Sequence, residues 1–165
     1  LKRRKVHPFP GMAAACFQLR PQSVGTIHIR SSDAREQPAI RFNFLDAAVD
    51  RQTMVDGFKI MRSIVEAEPM DPYRGEELIP GKSIRSDDEI ESFIRQKAET
   101  GFHPVSTCRM GHGAEAVVDD QLRVHGMMGL RIADASIFPT MPSGNTNAPS
   151  IMVGEKAADL IKGTG

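Results

Sequence analysis

The sequence contains no tryptophan and a single tyrosine, Tyr73, so phenylalanine supplies almost all of its aromatic surface. It also has no net charge. Lys plus Arg and Asp plus Glu each number 21, so no excess of either sign draws the chain toward nucleic acid or an anionic membrane. The one basic cluster, Lys2-Arg3-Arg4-Lys5, stands at the terminus without interleaved aromatics and reads as a solvated tail. No apolar run approaches the ~20 residues that span a bilayer, and nothing resembles a secretory signal. Cysteine is scarce as well. Cys16 and Cys108 lie far apart with no CxxC spacing, which suits a reducing compartment and hence a cytoplasmic location, or one peripheral to the inner membrane. Glycine-rich phosphate cradles are missing, both GxGxxG and GxxxxGK[ST]. The first residue is Leu1 and the chain opens in mid-pattern, as expected of a piece excised from a longer polypeptide.

What is present suffices for one good core, or for a large and a small subdomain. Met12 to Leu19 is a mostly apolar run ended by Arg-Pro and reads as a buried strand. In "SVGTIHIRS" Ile27 and Ile29 alternate with Thr26, His28 and Arg30. "AIRFNF" repeats the pattern with Ile40, Phe42 and Phe44. Period two across a turn-rich link predicts antiparallel strands with one face buried. From Ala47 to Ala67 the spacing of Met54, Phe58, Met61 and Val65 is helical, and Pro69 closes it. Ser86-Asp-Asp-Glu89 is a capping box opening a helix with Ile90, Phe93 and Ile94, expected to stop near Gly101. Short strands in "AVVDDQLRV" and "LRIAD" and a final helix follow. The expected class is α+β: an antiparallel β-sheet flanked by helices, with a substrate-binding domain over 11–100 and a docking tail over 101–165.

Few side chains are candidates for chemistry. His103, in "FHPVSTCRMGHG", follows the Gly101 helix stop and precedes Pro104, which holds it on stiff extended backbone. Histidine titrates near neutrality and is the usual general base. Cys108 and His112, with Met110 between, have metal-ligand spacing but no second pair, so no metal site is expected. Ser136, His103 and Asp134 could form a hydrolase triad on paper, yet "DASIFP" lacks the glycines of a nucleophile elbow.

Taken together, "FHPVSTCRMG" and "VVDDQLRVHGMMGLRIADASIFPTMPSGNTNAPSIMVGEKAADLI" closely resemble the C-terminal signature of the glucose–methanol–choline (GMC) oxidoreductases, in the choline dehydrogenase and alcohol dehydrogenase branch. The resemblance is strong over residues 101–162 and softer over 11–99. It implies FAD as cofactor, a small-molecule alcohol as substrate, and an N-terminal FAD-binding half that this sequence lacks. It makes His103 the catalytic base. The oxygen-fixing partner, His in some branches and Asn in others, falls on Asn147 in preference to Asn145. On the residues alone Asn147 is a helix N-cap with Pro149 in the first turn. Asp134 and Ala135 would lie against the FAD ribityl and pyrophosphate, and Asn147 and Ala148 would aim their helix terminus at the flavin's pyrimidine edge. On the residues alone Asp134 is a turn or cap residue. The alternative function is a non-catalytic module that binds a partner or assembles as a homo-oligomer. With one Tyr and no Trp, this chain has little from which to build an aromatic cage for a quaternary ammonium.

Overall fold

The computed structural model describes residues 7–163. The basic cluster at residues 2–5 lies outside the described residues. The chain divides into two compact units, one made of residues 7–18 and Ala47–Glu99, the other of Leu19–Asp46 and residues 100–163.

The first unit is built on two helices, α1 (Ala48–Val65) and α2 (Asp87–Lys97). The helical spacing of Val55 and Phe58 on α1 and of Ile90 and Ile94 on α2 brings these four side chains into one buried set. Phe58 and Phe93 meet edge to face, with ring centroids 6.1 Å apart. Arg62 lies over the Phe58 ring at 4.6 Å and donates to the Ile84 carbonyl and to Glu77, both at 2.8 Å. The capping box forms as expected: Glu89 N–H donates to Ser86 Oγ, and the Glu89 carboxylate accepts from the Ser86 and Arg85 amides at 3.0 Å. The helix ends sooner than the sequence suggests, because Ala98 is already extended and the backbone reaches Gly101 without helical bonds.

Residues 12–19 are not a strand. Among the described residues no backbone pairs with them, and Met12, Phe17 and Leu19 stay exposed. What fixes the run is side-chain contact. Gln18 donates to the buried Asp50 at 3.2 Å, and Cys16 packs on α1 at Gly57, where an added Cβ would meet its Sγ at 3.4 Å. A short apolar run does not reveal whether a partner strand exists.

In the second unit, β1 (Thr26–His28) and β2 (Ala39–Arg41) pair antiparallel, with Ile27 opposite Ile40. The strand pair forms where the alternation predicts it, but its apolar side chains are not buried. Ile29 is 87% exposed, Phe44 61%, and Ile27, Ile40 and Phe42 are also open. Gly25 sits so close to β2 that a Cβ there would stand 2.2 Å from the Arg41 carbonyl oxygen, which excludes any side chain. The pairing stops after Arg41 because Asn43 and Leu45 adopt positive φ, 57° and 59°.

The core of this unit is Val118, Leu122, Ile137, Val153 and Ala157. The strands expected in "AVVDDQLRV" and "LRIAD" are reduced to isolated bridges, Val118 with Val124 and Arg123 with Arg131. The reason is local. Asp119 Oδ1 accepts from the Gln121 and Arg123 amides at 2.9 and 2.8 Å, Leu122 lies at φ 63°, and the chain turns before a ladder can extend. The last helix, α3 (Asn147–Lys162), turns Val153 and Ala157 into this core and ends at Gly163 in the left-handed conformation. Among the described residues no helix is long and apolar enough to cross a membrane.

Candidate active site

Backbone geometry singles out the His103 loop. Phe102 and Ser106 both have positive φ, 60° and 72°, and bracket His103-Pro104-Val105. A left-handed phenylalanine is strained, and such strain persists only where surrounding structure over-determines it. Here the Phe102 amide donates to Thr100 Oγ1 at 3.1 Å, and Pro104 restricts His103 itself. Downstream the loop is stitched to the 3₁₀ turn Ala135–Ile137: the Cys108 amide donates to the Ser136 carbonyl at 3.0 Å and the Met110 amide to Ile137 at 2.8 Å. Ile137 in turn packs in the core with Val153 and Ala157 of α3. The loop, the turn and the helix are therefore one connected piece.

The imidazole of His103 is half-buried, and its Nδ1 lies 2.8 Å from Thr146 Oγ1, immediately before α3. The Thr146 amide is a weaker neighbour at 3.5 Å. Thr146 is buried, with 9% of its surface exposed. Its carbonyl accepts from Ser150 twice, from the amide at 3.0 Å and from Oγ at 2.6 Å. Reasoning from the sequence passed over Thr146 in favour of the two amides beside it. The available signal was a hydroxyl residue at the helix entrance, where its usual task is capping.

Asn147 is the first residue of α3, so Thr146 and not Asn147 holds the N-cap position. Thr146 makes no side-chain cap, having given its hydroxyl to His103. The side chains of Asn145 and Asn147 are exposed on either side of it. Among the described residues the backbone amides of Asn147 and Ala148 have no partner, and Pro149 has none to offer. An uncapped helix start carries a partial positive charge equivalent to roughly +0.5, which suits an electron-rich group.

Asp134 caps the 3₁₀ turn, its Oδ1 accepting from the Ser136 amide at 2.8 Å, and Ala135 is half-buried in that turn. The capping role read from the residues alone is present, and the carboxylate remains exposed. The hydrolase triad is not assembled, since among the described residues the His103 ring bonds to Thr146 and to neither Ser136 nor Asp134.

Residues 21–154 match the family model described as GMC oxidoreductase. An oxygen-dependent choline dehydrogenase of Pseudomonas syringae pv. tomato is 46% identical over 153 residues, covering 93% of this chain and 27% of that protein. One from Pseudomonas aeruginosa is 49% identical over the same shares. Among solved structures, pyridoxine 4-oxidase from Mesorbium loti matches with a TM-score of 0.83 at 30% identity, over 88% of this chain and 28% of its own. A fungal aryl-alcohol oxidase matches with a TM-score of 0.77 at 30% identity, over 87% and 24%. This chain thus spans 27% of the length of the curated relatives it matches. With most of its length matched by the family model, the chain belongs to the GMC oxidoreductase family.

Proposed function

We propose that this chain is the C-terminal, substrate-side portion of an FAD-dependent oxidoreductase that oxidises the CH–OH group of a primary alcohol, choline-like or aliphatic or aromatic, to the aldehyde. Residues 11–100 form its substrate domain and 101–165 the part that packs on an FAD-binding half. The carrying observation is the contact of His103 with Thr146 at the entrance of α3, beside two unpartnered helix amides.

FAD fits these residues. Among the described residues the amides of Asn147 and Ala148 have no partner and would suit the oxygen-rich edge of a flavin ring, and the turn of Asp134 and Ala135 would lie along the ribityl and pyrophosphate groups. FAD, when bound, supplies the acceptor for the hydride that leaves the carbinol carbon. The chain's own residues manage the remaining proton and the oxygen. His103 takes the hydroxyl proton at Nε2, because Nδ1 is engaged by Thr146. Asn147 donates from its amide to the substrate oxygen without changing charge. With FAD bound, the partial positive charge at the start of α3 would favour negative charge on the group beside it.

The exposed set Ile27, Ile29, Ile40, Phe42 and Phe44 is proposed to be covered by the rest of the polypeptide. The two free thiols support a reducing, cytoplasmic setting, with a position peripheral to the inner membrane as the variant. The test is spectroscopic. The longer polypeptide carrying this chain, once purified, is expected to show flavin absorption that bleaches when choline or another primary alcohol is added anaerobically. Colourless protein that binds no FAD would favour a non-catalytic binding or oligomerisation module.

A further inference from the structure

The hydroxyl of Thr146 is spent in an unexpected way. At a helix entrance a threonine side chain ordinarily accepts an amide of its own first turn, a contact whose loss costs about 0.5–2 kcal/mol. Here that contact is absent, the Asn147 and Ala148 amides are left open, and Oγ1 reaches His103 Nδ1 at 2.8 Å instead. The residue is held firmly for this. It is buried, and Ser150 clamps its carbonyl with both amide and hydroxyl.

We propose that Thr146 is a positioning residue that fixes the orientation of the His103 ring. This rests on the reading of His103 as the group that receives the substrate's proton. The loop backbone is already set by Phe102, Pro104 and Ser106, so the remaining freedom of His103 is rotation of its own side chain. One strong hydrogen bond to a ring nitrogen removes it. With Nδ1 turned to Thr146 Oγ1, Nε2 is the ring nitrogen left to face the substrate. The Thr146 amide also donates toward Nδ1, at 3.5 Å, the outer limit of hydrogen bonding, so both contacts hold the same edge of the ring.

A hydroxyl also serves both protonation states. Oγ1 accepts from Nδ1 when that nitrogen carries a proton and donates to it when it does not. The contact therefore survives a change of protonation at the ring. A carboxylate in this place would instead bias the ring toward its charged form.

The experiment compares Thr146→Val, isosteric but without a hydroxyl, and Thr146→Ser, in the full polypeptide with FAD bound. Valine is expected to lower the limiting rate of anaerobic flavin reduction, per bound flavin, by about tenfold to a hundredfold, the scale of a misoriented catalytic group. The substrate concentration giving half that rate should change little, and serine should restore most of the rate. A wild-type rate per flavin in Thr146→Val overturns the proposal, whatever happens to flavin content or melting temperature. Equal losses in the valine and serine variants overturn it too, because the hydroxyl would then not be the agent. Failure of the underlying reading looks different: His103→Ala would itself reduce flavin at the wild-type rate.

Discussion

The hydroxyl that meets His103 arrives from 43 positions further along the chain, so no local pattern could announce the contact. His103 itself was legible. A histidine between a glycine helix stop and a proline stands on backbone with few options, and its φ-strained neighbours agree with that. Thr146 was not legible, because its neighbours are amides that present the more obvious chemistry. The two amides are distinguishable by experiment. Asn147 follows Thr146 and heads α3, whereas Asn145 precedes it and shares the peptide whose N–H lies 3.5 Å from Nδ1. With Asn147 as the oxygen-fixing donor, Asn147→Ala is expected to slow anaerobic flavin reduction by about a hundredfold, the usual loss for one donor to a developing oxyanion. Asn145→Ala should retain most of the rate. The reverse ranking in stopped flow would move the role to Asn145.

Among the elements, the helices could be read from the sequence and the strands only in part. Helices declare themselves by spacing and by end signals within a few residues, as the Ser86 and Glu89 box shows. Strands depend on a partner, and residues 12–19 have none among the described residues, while "AVVDDQLRV" is bent by Asp119. The cap of α2 gives a prediction with a pH sign. Hydrogen bonds from the Arg85 amide, and then from Ser86, hold the Glu89 carboxyl below its ordinary value of 4.5. A carboxyl lowered in the folded state stabilises fully above that ordinary value and loses its contribution as pH falls through the folded one. Glu89→Gln should therefore lower the melting temperature at neutral pH, and the gap from wild type should narrow under acid. Ser86→Ala is expected to cost about 1 kcal/mol in denaturant titrations. A melting gap that stays constant from neutral to acid pH would count against the carboxylate's role.

At the scale of the molecule, period-two spacing correctly grouped Ile27, Ile40 and Phe42 near the strand pair, but periodicity cannot say what covers a face. Those side chains are open in a chain that spans 27% of its curated relatives' length. The family was legible from these residues, whereas a substrate was not. A long series of ordered motif residues identifies a lineage, whereas a pocket needs every wall. The proposed chemistry depends on His103 as the proton acceptor. The most direct measurement is stopped-flow flavin reduction by a primary alcohol, without oxygen, in the full polypeptide carrying His103→Ala. A rate lower by at least about a hundredfold, with flavin still bound, is the predicted result. Reduction at a near-normal rate would contradict it.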